Sequence, residues 1–145
     1  MDKNYELIMH IYEDSEMACT TIEELIKDLK DKDNKIKSFL EKIDKEYKNY
    51  KEDAKKILKK NKEEIPEKGI ISKMMANMGV KKEVMNDNSD SAIAELMIQG
   101  ISMGSLNMEK KLSEYEKVSD KDQIKKAKEF LKFQEKTIDH LKEYL

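Results

Sequence analysis

Two histidines, His10 and His140, and one cysteine, Cys19, are the residues of this 145-residue chain whose types best suit metal binding, proton transfer or nucleophilic attack. A carboxylate-bridged metal pair in a helical protein needs Glu-x-x-His on each of two helices, with a further Glu from each of two others. Here the residues three positions before the histidines are Leu7 and Thr137, so that ligand pattern is missing. His10 has Glu6, Glu13 and Asp14 at helical spacing, but it falls away from the Ile8, Ile11 and Ile22 stripe. It is therefore expected to be an exposed histidine among solvated carboxylates. His140 likewise points away from its helix's apolar row, and no serine or cysteine nucleophile is placed beside either histidine.

Cys19 sits at the edge of an apolar stripe, where a thiol behaves as a small hydrophobe with an unshifted or raised pKa. A single cysteine permits neither an intramolecular disulfide nor a thiolate zinc cluster. Ten methionines are present, and Met74, Met75 and Met78 resemble a soft-metal thioether group. Gap filling explains the same residues without a metal and is the favoured reading, ahead of an adaptable binding surface and then of copper(I). Gly-rich phosphate loops and CxxC motifs do not occur. No cofactor and no catalytic constellation is expected.

The elements that would position these residues follow from apolar spacing. Ile8, Ile11, Ala18, Ile22, Leu25 and Leu29 recur at three and four residues, predicting a first helix from Leu7 to Leu29. Ile36, Phe39, Ile43, Tyr47, Tyr50, Ala54 and Ile57 predict a second, with Asp33 as its N-cap. Pro66 and Gly69 interrupt the pattern, and Ile70, Ile71, Met74, Met75 and Met78 suggest a short helix inside a crossover. From Ser91 to Met108 the only charge is Glu95, and apolar residues cover so wide an arc that this third helix is expected at the centre of the domain. Gly100 and Gly104 within it leave room for close packing. Ser119 with Asp122 resembles a capping box opening a fourth helix, whose row is Ile124, Ala127, Leu131, Ile138, Leu141 and Leu145. The expectation is one domain over residues 1–145: an all-α, antiparallel four-helix bundle with a short extra helix between helices two and three.

Charged residues make up 41% of the chain, against about 25% in an average domain, and the net charge is −2 with no arginine. That balance argues against a nucleic-acid partner, which needs a clustered basic face. No apolar run is long enough for a signal peptide or a membrane span, so a reducing cytoplasm is expected and a membrane partner is not. On helix four, Phe130, Phe133, Thr137 and Tyr144 line up beside the core row, predicting an apolar patch that another protein or a second copy covers. A homodimer through this face is the specific expectation.

Ser72-Lys73-Met74-Met75, then Ile93-Ala94-Glu95-Leu96-Met97-Ile98-Gln99-Gly100 with Met103-Gly104, and the Leu-Lys-x-x-Leu ending from Leu141 to Leu145 carry a family likeness. On these residues the chain resembles small bacterial and archaeal proteins of the ferritin-like four-helix superfamily. The resemblance implies an up-down-down-up bundle with a long crossover. Ferritin iron chemistry does not carry over, because no position matches the Glu-x-x-His ligands. The leading functional expectation is a non-catalytic bundle acting through protein contacts. Its alternative is a metal-binding bundle with a degenerate centre built from Glu13, Glu16, Glu95, Glu135, His10 and His140, or a small-molecule carrier lined by Met75, Met78, Met97 and Met103.

Overall fold

The computed structural model describes residues 4–66 and 88–145. Four α-helices appear among them: α1 (Glu6–Asp28), α2 (Lys37–Lys60), α3 (Asp90–Tyr115) and α4 (Lys121–Leu141), the last running into a 3-10 turn (Lys142–Tyr144). No strand occurs among the described residues, as the period of three to four predicts. The short helix expected from Ile70 to Met78 lies outside the described residues, as do the carrier residues Met75 and Met78.

Two of the helix starts are capped by the side chain just before them. Ser89 accepts from the Ala92 amide at 3.2 Å to open α3, and Asp120 accepts from the Gln123 amide at 2.9 Å to open α4. The cap of α4 is thus Asp120 rather than Ser119. Asp33 does not cap α2 either. The free amides there are taken instead by Asp90 at the start of α3, whose carboxylate accepts from Lys35 N at 3.2 Å and Ile36 N at 3.4 Å. Asn34 ties the same junction by donating to Asp90 Oδ1 at 2.9 Å and to the Asn88 carbonyl at 2.7 Å. A carboxylate across the fold can reach those amides; one in the α1–α2 loop, pointing to water, does not.

A shared apolar core takes residues from every helix: Leu7, Ile8, Ile11, Ile22 and Leu25 from α1, Leu40, Ile43 and Tyr47 from α2, Ile93, Met97 and Met108 from α3, and Ala127, Phe130 and Leu141 from α4. The central element among those described is α1, which packs against each of the other three helices. This corrects the expectation for helix three. Met103 and Leu106 on α3 are 46% and 51% exposed, and its buried residues lie along one face: Ile93, Met97, Ile101, Gly104, Met108 and Leu112, with Ala94 and Ser105 beside them. Periodicity understates α1 because four members of its buried arc, His10, Asp14, Ser15 and Glu16, are polar by type.

Helix α4 is also turned relative to expectation. Its buried face is Gln123, Ala127, Phe130, Gln134, Thr137 and Leu141, while Ile124, Leu131 and Ile138 are half-buried and Leu145 is exposed. The rotation brings Phe130 and Phe133 onto α2. Tyr47 meets Phe130 edge-on at 6.0 Å and Phe133 at 4.9 Å, and Tyr50 meets the same two rings at 5.1 and 4.9 Å. Bulky rings, rather than close backbone approach, join α2 to α4.

Candidate functional site

Two features stand out from the general packing, a polar cluster inside the core and an open groove on the α2–α4 face.

The cluster begins with His10, which is 8% exposed rather than solvated as its wheel position suggests. Its Nε2 donates to the Gly104 carbonyl at 3.1 Å and lies 3.8 Å from Asp14 Oδ2, one turn along α1. A carbonyl only accepts, so the ring is held as its Nε2–H form. Asp14 is buried with its carboxylate pressed on Gly104, where a Cβ would fall 2.6 Å from Oδ1 and 2.8 Å from Cγ. The close approach expected at the Gly100–Gly104 pair therefore occurs at Gly104 alone and admits a carboxylate; at Gly100 a Cβ would meet open space. Gln134 of α4 completes the cluster, donating from Nε2 to Asp14 Oδ2 at 2.7 Å and to the Tyr47 hydroxyl at 3.3 Å.

Burial governs the acid–base state of these groups. Desolvation pushes the Asp14 carboxyl up to about 7, with the Gln134 hydrogen bond opposing it. It pulls His10 down to about 4, although the bond to Gly104 favours the charged ring. The Tyr47 phenol is held well above its ordinary range by burial and by Asp14. Between about pH 4 and pH 7 the result is a neutral carboxyl beside a neutral imidazole. Among the described residues no three His, Cys, Asp or Glu side chains converge as a metal-binding group.

The other candidate ligands scatter. Glu95, Glu135 and His140 are exposed, Glu16 is buried in an ion pair with Lys51 at 3.1 Å, and Glu13 is half-buried. His140 lies against Phe39 with ring centres 4.1 Å apart and planes tilted by 33°. Cys19 is buried, its thiol pushed up to about 12 chiefly by desolvation, which matches its reading as a core hydrophobe. Met97 is buried and Met103 half-exposed, so the two described carrier residues do not face one cavity wall.

The groove lies where the aromatic face of helix four is expected to be uncovered. That expectation is corrected in part: Phe130 and Thr137 are buried, and Phe133 and Tyr144 are half-buried, because α2 covers this face with Phe39, Tyr47 and Tyr50. The wide spacing imposed by the rings leaves an open groove of about 680 Å³, floored by Phe39, Ile43, Tyr50, Phe133 and Thr137 and edged by Lys42, Glu46, Asn49, Glu129, Lys132 and Lys136. A second, shallower depression of about 370 Å³ continues along α4 past Lys121, Ile124, Lys125 and Lys128. The lysines of this edge do not figure among the residues singled out from the sequence; their spacing along one helix is the signal that could have found them.

No described helix is long and apolar enough to cross a membrane. Compared with known proteins, the chain matches no family model, no curated protein and no solved structure.

Proposed function

We propose that this chain is a non-catalytic helical bundle that acts by holding a segment of another protein in the α2–α4 groove. The observation that carries the reading is the aromatic floor of that groove, where Tyr50 and Phe133 keep part of their rings accessible between two helices. Recessed aromatic surface with a polar rim is the usual composition of a protein-binding site. The scattering of Glu95, Glu135 and His140 weighs against a degenerate metal centre.

We read the helix order as up-down-down-up, the ferritin-like arrangement, with antiparallel neighbours. Cross-helix pairs support it. Glu16 with Lys51 and Glu23 with Lys48 run α1 against α2, Glu6 with Lys111 and His10 with Gly104 run α1 against α3, and Asp53 with Lys126 and Phe39 with His140 run α2 against α4. A reducing cytoplasm suits the lone buried thiol of Cys19.

A photo-crosslinking side chain in place of Asn49, at the groove edge, tests the function in the cells that make this protein, with the same group at exposed Glu109 on α3 as control. The reading expects one protein joined at position 49 and not at 109, lost in a Phe133→Asp variant whose helicity is intact, and binding the pure chain when itself purified. A second copy of this chain in that role makes the face a homodimer interface. Identical products from both positions, or a purified candidate that does not bind, overturn it.

A further inference from the structure

Lys121, Lys125, Lys128, Lys132 and Lys136 follow one another along α4 at spacings of four, three, four and four. At about 100° per residue they occupy an arc of roughly 80°, and at 1.5 Å per residue they form a strip about 22 Å long. The strip borders the groove and its shallower continuation, with Lys42 of α2 on the opposite rim. Glu129 and Glu46 are the acidic residues lining these two depressions, so the surface is clearly positive in a chain whose net charge is −2.

Outside the strip five described lysines form ion pairs, one of them Lys142 with Asp139, while others, such as Lys27, Lys55 and Lys110, form none. Lys48 bridges Glu23 and Asp44, Lys51 meets Glu16, Lys111 meets Glu6 and Lys126 meets Asp53. Within the strip only Lys128 does, at 3.5 Å from Glu116; Lys121, Lys125, Lys132 and Lys136 make no ion pair among the described residues. Like charges one turn apart destabilise a helix, and the strip contains three such pairs, Lys121 with Lys125, Lys128 with Lys132, and Lys132 with Lys136. An anionic surface laid along α4 relieves all three at once.

We propose that the groove and its lysine strip take an acidic amphipathic helix of another protein. This rests on the reading of the groove as a protein-binding site and adds the chemistry of its occupant. Apolar side chains at i, i+3 or i+4 and i+7 seat on Tyr50 and Phe133, and carboxylates on the adjoining face meet Lys125, Lys132 and Lys136. A lipid surface fits less well, because the rings are recessed beneath charged rims and do not protrude to enter acyl chains. Nucleic acid fits less well because the strip has no arginine and the rest of the chain is acidic.

The test uses the full chain and a synthetic helix of about 18 residues, five turns, with leucine at the seating positions and glutamate beside them. Its partner peptide has glutamine for every glutamate; anionic phosphatidylglycerol vesicles and an oligothymidylate serve as competing probes. The expected result is binding of the glutamate peptide that moves the resonances of Tyr50 and Phe133, weakens with salt, and falls at least about ten-fold in a Lys125→Gln, Lys132→Gln, Lys136→Gln variant. These lysines are solvent-facing, so the variant keeps the fold, and Phe133→Ala supplies an independent loss. Equal, salt-insensitive binding of both peptides overturns the acidic occupant and leaves the groove reading standing. Binding of neither peptide overturns both, and tighter binding of vesicles or oligothymidylate through the same lysines overturns the choice of partner.

Discussion

The substitution Asp14→Asn changes a buried carboxyl into a neutral amide of nearly the same shape, beside His10, Gly104, Tyr47 and Gln134. The Asp14 pKa stands at about 7 in the fold against an ordinary 3.8. A group whose pKa is raised on folding contributes stability that is complete below the unfolded value and is lost as pH rises through the folded one. At 1.36 kcal/mol per decade, moving from 3.8 to about 7 makes the ionised carboxylate cost about 4 kcal/mol above pH 7. The amide of the D14N variant avoids that cost. The variant is therefore expected to match the parent below pH 4 and to exceed it by up to about 4 kcal/mol at pH 8.

His10 works in the opposite sense. Its pKa is lowered from 6.5 to about 4, so its contribution is present above 6.5 and lost as pH falls through 4. Between those limits the unfolded chain carries one proton on the imidazole and the folded chain carries one on the carboxyl. The proton count hardly changes on folding, so the parent's stability is nearly flat from pH 4 to 6.5 and falls by about 1 kcal/mol around pH 7. The D14N change removes the compensation and exposes a rise of about 3 kcal/mol over the same range from His10 alone. Urea titrations followed by circular dichroism at pH 4, 5, 6.5 and 8 read both curves. A D14N variant less stable than the parent at pH 8, with an unchanged profile, refutes the argument and makes Asp14 a well-solvated or strongly paired anion.

Gly104→Ala forces a methyl group into the Asp14 carboxylate and should lower stability by about 1–3 kcal/mol, whereas Gly100→Ala enters open space and should raise it by about 0.5–1 kcal/mol through helix propensity; the two midpoints in urea check this. Asp90→Ala strips the acceptor from Asn34, Lys35 and Ile36 and should cost about 1–2 kcal/mol, read by the same titration and by faster amide exchange at Ile36. Cys19, buried with its thiol at about 12, should react with a thiol reagent at pH 8 only at a rate that follows unfolding, so the reaction accelerates many-fold in urea; prompt labelling of the native chain is the contrary result.

The four helices are legible because each carries apolar residues at spacings of three and four, and the breaks at residues 31–34 and at Pro66 are chemical ones. Polarity is what misleads. Gln134, Gln123 and Thr137 look like solvent-facing residues on a wheel, so the core row of α4 falls through Ile124, Leu131 and Ile138 instead, and the aromatic face remains as an apparent patch. His10 and Asp14 look solvated for the same reason. A polar side chain is expelled from a core only when nothing inside satisfies it, and the partners here, Gly104 and Gln134, lie on helices far away in sequence. The lysine strip is the converse case: its spacing is visible in the letters, but that four of its members lack counter-ions emerges only when every neighbouring carboxylate has a place.

The cluster and the groove share a residue, which bears on how a partner would be held. Tyr47 takes a hydrogen bond from Gln134 on its inner end and sets its ring against Phe133, part of the groove floor. Its hydroxyl is thus fixed to the same amide that holds Asp14, and its ring is fixed between α2 and α4. A binding floor supported in this way loses little side-chain freedom when a ligand arrives, and less lost freedom means more of the contact energy appears as affinity. The polar core and the open face are in this sense one construction. Gly104 admits Asp14, Asp14 and Tyr47 share Gln134, and Tyr47 holds Phe133 in the position at which the rings keep α2 and α4 apart.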